Sequence, residues 1–71
     1  MCRNNLKNTR LRMELTQKRM AELIPCDLRY YRRLEDGDMT GSVQLWDRIE
    51  DLLGKPQRWL REVQVWEEQG K

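Results

Sequence analysis

The amino-acid sequence predicts an all-α domain, a compact bundle of five short helices. Apolar residues recur three or four positions apart in five separate stretches, which is the spacing of an amphipathic helix. Thr16, Asp27 and Ser42, residue types that cap helix N-termini, stand just before three of these stretches. Gly37 and Gly54 follow two of them, where a left-handed C-cap is expected.

Length and composition limit the class of protein. Seventy-one residues are expected to form one domain over 1–71, near the lower size at which a hydrophobic core alone holds a fold. The chain is 38% hydrophobic and 37% charged, which argues against a disordered tail and against a membrane span. No apolar run suits a transmembrane helix or a signal peptide, so we expect a cytoplasmic protein that does not bind membranes. Because the chain has two cysteines without CxxC spacing and no histidine, we expect no disulfide framework, no metal and no cofactor. Both cysteines are predicted to be free, with Cys26 packed rather than reactive.

The first helix is predicted over about 6–13, after a polar segment, 1–5, that we expect to be frayed. The second helix spans about 16–24 and is stopped by Pro25, which cannot continue it. In both helices the inward positions repeat at helical spacing. These positions are Leu6, Thr9, Arg10 and Met13 in the first helix, and Met20, Ala21, Leu23 and Ile24 in the second.

The third helix is predicted from Asp27 or Leu28 to Asp36, with Tyr31 and Leu34 three apart on its buried side. Two helices joined by a turn of three or four residues, the second with arginines near its N-terminus, are typical of a DNA-reading helix-turn-helix. The residues directed to the opposite side are Leu28, Arg29, Arg32 and Arg33.

The fourth helix is predicted to begin after Ser42 and to end at Gly54. Pro56 suits the first turn of a fifth helix, which we expect to extend into 63–71. The expected buried sets are Val43, Leu45, Trp46, Ile49, Leu52 and Leu53 in the fourth helix, and Trp59, Leu60, Val63 and Trp66 in the fifth. The sequence leaves open whether Trp59, Val63 and Trp66 belong to the core or form a dimer contact.

Positive charge is concentrated in the N-terminal half of the chain. Residues 1–35 contain nine Lys/Arg and four Asp/Glu, a net charge of +5, whereas residues 36–71 contain five and eight, a net charge of −3. This distribution favours a polyanion bound to the N-terminal half, because neutralised phosphates release counterions. The alternative is an ordinary solvated surface.

The arginines of the third helix are candidate base readers. Arg29 and Arg33 lie four apart, on one face, and each could donate two hydrogen bonds to a guanine. Arg32 could reach a base edge or a phosphate, and Leu28 could contact a thymine methyl or pack against the second helix. The alternative is that all three arginines only solvate an exposed helix.

Four further residues of the first three helices are predicted to contact the DNA backbone or to fix the helices against one another. Gln17, at the start of the second helix, can donate to a phosphate oxygen of DNA, and Lys18 beside it can contact the DNA backbone. The alternative is that Gln17 is an ordinary surface glutamine. Arg10 faces inward on the first helix, and an inward arginine needs an acid to justify its burial. Glu35 is the candidate, and the pair would fix the first helix against the third.

These residues resemble the phage-repressor-type helix-turn-helix DNA-binding domains, the lambda-repressor-like XRE family that contains the lambdoid phage repressors and Cro proteins. The resemblance covers about 6–62. It implies a five-helix bundle in which the second and third helices form the reading unit, the Arg10–Glu35 pair, a phosphate contact by Gln17 and base contacts by Leu28, Arg29 and Arg33. The matching residues are Arg10, Leu15-Thr16-Gln17, Ala21, Leu23, Tyr31, Leu34-Glu35, Gly37, Ser42, Leu45, Ile49, Leu53-Gly54 and Trp59-Leu60.

The chain departs from the family pattern at several positions. Pro25 replaces the usual glycine of the turn, Glu14 the glycine that commonly ends the first helix, and Gly41 the proline before the fourth. Pro25 leaves open the angle between the second and third helices. The loop after Gly37, often basic in the family, is Asp38-Met39-Thr40, which predicts weaker phosphate contacts from that side.

The sequence therefore predicts a sequence-specific double-stranded DNA-binding transcriptional regulator, such as a repressor, that acts as a homodimer on half-sites about 34 Å apart. The alternative is a protein-interaction module, such as an antirepressor or a scaffold, that keeps the fold without reading DNA. An enzyme is not expected, because the chain has no histidine, no motif of nucleophile and base, and no glycine-rich phosphate loop. A single small domain leaves little room for a small-molecule ligand.

Overall fold

The computed structural model describes residues 2–63 and contains five α-helices in that part of the chain. The predicted all-α class is confirmed. Within the described residues, no helix has the length and apolar character needed to cross a bilayer. The helices are α1 (Asn4–Arg12), α2 (Gln17–Leu23), α3 (Leu28–Asp36), α4 (Val43–Leu53) and α5 (Gln57–Leu60).

The predicted caps set the ends of the central helices. Thr16, Asp27 and Ser42 precede α2, α3 and α4, and each side-chain oxygen accepts a backbone N–H from the first turn at 3.0–3.1 Å. Gly37 ends α3 with φ +86°, and Gly54 ends α4 with φ +69°, both in the left-handed region. These five predictions are confirmed, because capping depends on local chemistry that the sequence displays directly.

One apolar core joins the five helices, and three residues predicted to lie in it, one each from the first, second and fourth predicted helices, are exposed. Met13 follows the end of α1 and is 44% exposed, and Leu23, at the last position of α2, is 37% exposed. Val43 is 69% exposed because α4 begins there, one turn before its first buried residue. The buried apolar residues are Leu6, Met20, Ala21, Ile24, Tyr31, Leu34, Trp46, Ile49, Leu53 and Leu60.

The predicted extension of the fifth helix is wrong at Val63. α5 is a single turn that ends at Leu60, which is fully buried. The side-chain amide of Asn5 donates to the carbonyl oxygen of Trp59 at 2.9 Å. In a longer helix this carbonyl would accept a backbone N–H from the next turn, and here a residue of α1 supplies a donor. Trp59 and Val63 remain 38% and 39% exposed, and Trp66 lies outside the described residues.

The segment that the sequence predicts to be frayed is anchored by Arg3, which is only 5% exposed. Its guanidinium lies 5.3 Å from the ring centroid of Trp46, within the range of a cation–π contact. Burial, followed by the nearby charge of Arg61, lowers the pKa of Arg3. The prediction failed because a planar guanidinium can satisfy several buried carbonyls at once. The acceptors are the carbonyl oxygens of Leu34, Met39 and Arg61.

Glu14 occupies a backbone conformation that favours glycine. Its φ of +59° lies in the left-handed region, just after α1, at the position where the family pattern has glycine. We expect Glu14→Gly to raise the free energy of unfolding by about 0.5–1 kcal/mol, since relief of left-handed strain exceeds the entropy glycine adds to the unfolded chain. Urea unfolding measures this change. Glu14→Ala keeps a Cβ and should be nearly neutral, so equal gains in both variants would contradict the argument.

Candidate functional site

α2 and α3 pack directly against each other and are joined by residues 24–27. Ile24 is the C-cap of α2, so Pro25 falls after the helix, where its missing N–H breaks no helical bond. The amide of Cys26 closes the turn by donating to the carbonyl oxygen of Ala21 at 2.7 Å. No residue of this turn has a positive φ. The turn therefore does not require the glycine that the family pattern has in place of Pro25.

The carboxylate of Glu35 connects the first three helices. Its Oε2 accepts from Arg10 Nε at 2.8 Å and from the Tyr31 hydroxyl at 2.8 Å. Its Oε1 accepts from Arg10 Nη2 at 3.3 Å and from Gln17 Nε2 at 2.9 Å. The ion pair expected between Arg10 and Glu35 is therefore present, with side chains 7% and 4% exposed.

Electrostatics keep Arg10 and Tyr31 in the protonation states that their hydrogen bonds to Glu35 require. Burial alone would lower the pKa of Arg10, but the hydrogen bond and the negative charge of Glu35 outweigh it, and the pKa is raised. Burial, together with the charge of Glu35, raises the pKa of Tyr31 far above its ordinary value. The tyrosine hydroxyl therefore stays protonated and remains a donor.

Gln17 is turned towards the protein interior. The sequence predicts an outward phosphate contact, whereas the structure shows one amide N–H bound to Glu35, on a half-buried side chain. Since a primary amide carries two N–H groups, the inward bond leaves a second donor. The phosphate contact itself stays a prediction.

The three arginines of α3 lie on its exposed side. Arg29 and Arg33 are one turn apart, opposite the fully buried Tyr31 and Leu34, and Arg32 is exposed beside them. Within residues 2–63 none of the three forms an ion pair. No acid of the described residues therefore neutralises these cations.

The flanking residues differ in their environments. Leu28 is half-buried and packs against the core, which agrees with the packing role, while the thymine contact stays a prediction. Asp27, Leu28, Arg29 and Arg32 line an open groove of about 440 Å³ at the start of α3. Lys18 is exposed.

Cys26 is half-buried and packs against the core, as predicted. Burial, followed by the negative charge of Asp27, raises the pKa of its thiol. A protonated thiol is a poor nucleophile and a poor metal ligand. Over residues 2–63, no three His, Cys, Asp or Glu side chains are grouped so that they could hold a metal ion.

Sequence reasoning missed two interactions of this region. The sequence predicts that Tyr31 lies in the core, yet its hydroxyl also donates to Glu35, and the spacing of four along one helix is the available signal. The inward bond of Gln17 had no such signal, because it depends on how α2 packs on α3.

Comparisons with known protein families, with curated proteins and with solved structures gave no significant match to this chain. A functional assignment therefore depends on the described residues and their geometry.

Proposed function

We propose that this chain is a sequence-specific double-stranded DNA-binding transcriptional regulator of the phage-repressor helix-turn-helix type, acting in the cytoplasm. The observation that supports the proposal is the exposed side of α3, which carries Arg29, Arg32 and Arg33 without ion-pair partners among the described residues. An α-helix fits the major groove of B-DNA, and arginine is the side chain that most often reads guanine there.

The proposal gives a role to each exposed arginine of α3 and to Lys18. Arg29 and Arg33 donate to the O6 and N7 atoms of guanines, because they share the side of α3 opposite its anchors. Arg32 and Lys18 contact phosphates and set the register of the helix along the duplex. The buried Arg10–Glu35 pair keeps α3 in a fixed orientation while the arginines bind.

A second copy of the chain completes the proposed reading unit. One domain of this size reads few base pairs, and two-fold related domains read half-sites about 34 Å apart. The exposed faces of Trp59 and Val63 are the proposed dimer contact on the described residues. Trp66, which the sequence groups with them, lies outside the described residues.

The Arg29→Ala, Arg33→Ala double variant tests the base-reading assignment. Selection from a random duplex pool first provides the preferred sequence. The variant should then lose about 1–3 kcal/mol of discrimination per arginine, roughly 5- to 150-fold each, against a mutated half-site. Arg48→Ala, Arg58→Ala removes the same charge from exposed sites on α4 and α5 and is the matched control. An unchanged sequence preference in the α3 variant would contradict the assignment of Arg29 and Arg33 as base-reading residues.

The second candidate function is a protein-interaction module, such as an antirepressor or a scaffold. The partly exposed Trp59 and Val63 and the exposed acids Asp36 and Asp38 next to the arginine face favour it. Salt dependence discriminates the two functions. Phosphate binding by several cations weakens steeply as salt rises, whereas a module of this kind shows no duplex binding even at low salt and binds a protein tightly.

A further inference from the structure

Glu35 accepts more hydrogen bonds than its ion pair requires. Arg10 and Tyr31 donate to it from buried positions, and together they already engage both carboxylate oxygens. Gln17 adds a fourth bond from a half-buried position at the start of α2. The carboxylate thus links the reading helix to a side chain that reaches the surface.

The hydrogen bond between Gln17 and Glu35 fixes the direction of a free donor. The amide nitrogen is planar, so when one N–H is held by Glu35 Oε1 at 2.9 Å the second N–H points away from the carboxylate. A free surface glutamine would have to give up rotamer freedom before it could bind a ligand. In this structure folding has already restricted that freedom.

We propose that Glu35 is a positioning residue that orients the Gln17 amide so that its second N–H donates to a phosphate of the bound duplex. This inference rests on the proposed DNA-binding function. Arg10 neutralises the charge of Glu35, so the carboxylate can hold the amide without repelling a phosphate. Because Glu35 belongs to α3, it also fixes the distance between this phosphate donor and the arginines that read bases.

The phosphate contact is tested with duplexes in which single phosphates are replaced by neutral methylphosphonates. Replacing the one phosphate that Gln17 contacts should weaken wild-type binding about tenfold. Gln17→Met should bind the unmodified duplex about tenfold more weakly and be insensitive to that replacement. Its salt dependence should match the wild type, because glutamine is uncharged, whereas Lys18→Met should reduce the slope of log K against log salt by about 0.9.

The role of Glu35 is tested with Arg10→Met, Glu35→Met, which removes the carboxylate with its charge partner and leaves Gln17 in place. This double variant should lose the same tenfold in affinity and the same methylphosphonate sensitivity. Tyr31→Phe removes one donor to Glu35 without touching Gln17, and it should bind as the wild type does. Should the double variant not fold, the side-chain amide signals of wild-type Gln17 decide: one proton should be shifted and protected from exchange in the free protein, and the other should shift when the duplex is added.

The outcomes separate this inference from the function on which it rests. Absence of a preferred duplex overturns both. A preferred duplex that Gln17→Met binds as tightly as the wild type overturns the inference alone. Weaker binding by Gln17→Met, with full affinity in the folded double variant or an unprotected Gln17 amide in the wild type, shows a phosphate contact that Glu35 does not position, and it also overturns the inference.

Discussion

Replacing Arg10 with methionine while Glu35 stays in place should lower the free energy of unfolding by about 3–5 kcal/mol. The reason is that the carboxylate, on a side chain only 4% exposed, would lose its charge partner without gaining access to water. The carbonyl oxygen of Leu15, which accepts from Arg10 Nη1 at 2.7 Å, would lose its donor as well. Small domains are stable by about 5–15 kcal/mol, so urea unfolding followed by circular dichroism should show a large shift of the midpoint.

The control for this prediction is Arg10→Met, Glu35→Met. Removing both partners eliminates the buried charge, and buried ion pairs are often replaced by apolar residues at little cost. The double variant should therefore recover most of the stability that the single variant loses, with a favourable coupling of about 2 kcal/mol or more. Equal destabilisation of the single and double variants would show that packing by Arg10, rather than its charge, stabilises this region.

The part of the fold that could be predicted from sequence is the part decided by local chemistry. Thr16, Asp27 and Ser42 cap their helices because short polar side chains satisfy amides two or three residues away. The pair of Arg10 with Glu35 followed from a simple requirement, that an inward arginine needs an acid. Neither inference depends on the angles between helices.

Interactions with distant backbone groups could not be predicted in this way. Arg3 is buried and donates to carbonyl oxygens 31 to 58 residues away. Because every residue has a backbone carbonyl, no residue type in the sequence identifies which carbonyls accept from Arg3. The end of α5 carries a contact of the same kind, since the side-chain amide of Asn5 donates to the carbonyl oxygen of Trp59 from 54 residues away.

The same distinction between local and long-range interactions applies to the candidate site. The exposed side of α3 followed from helical spacing alone, because Tyr31 and Leu34 determine which side is buried. The environment of Gln17 did not, because its bond to Glu35 requires the first turn of α2 to lie beside the last turn of α3. That arrangement depends on a turn in which Pro25 replaces the usual glycine.

Gly41→Ala should lower the free energy of unfolding by about 2–4 kcal/mol. Gly41 has φ +80°, and an added Cβ would lie 2.7 Å from Trp46 Nε1 and 3.0 Å from Leu34 Cδ1. Trp46 is 1% exposed and donates through Nε1 to the carbonyl oxygen of Thr40 at 2.7 Å, so the indole cannot move without weakening this bond. Backbone strain and the disturbed tryptophan act together, and denaturant unfolding measures their sum.

Gly54→Ala separates the two causes. Gly54 has a similar backbone conformation, φ +69°, but an added Cβ would meet no atom within 4 Å. This variant therefore carries only the left-handed strain, about 1–2 kcal/mol. The excess loss in Gly41→Ala then measures the contact with Trp46, and it should coincide with a changed near-ultraviolet circular dichroism spectrum in Gly41→Ala alone. If the two variants lose the same stability, the loop at Gly41 adjusts freely, and the close packing of Trp46 against it does not limit the fold.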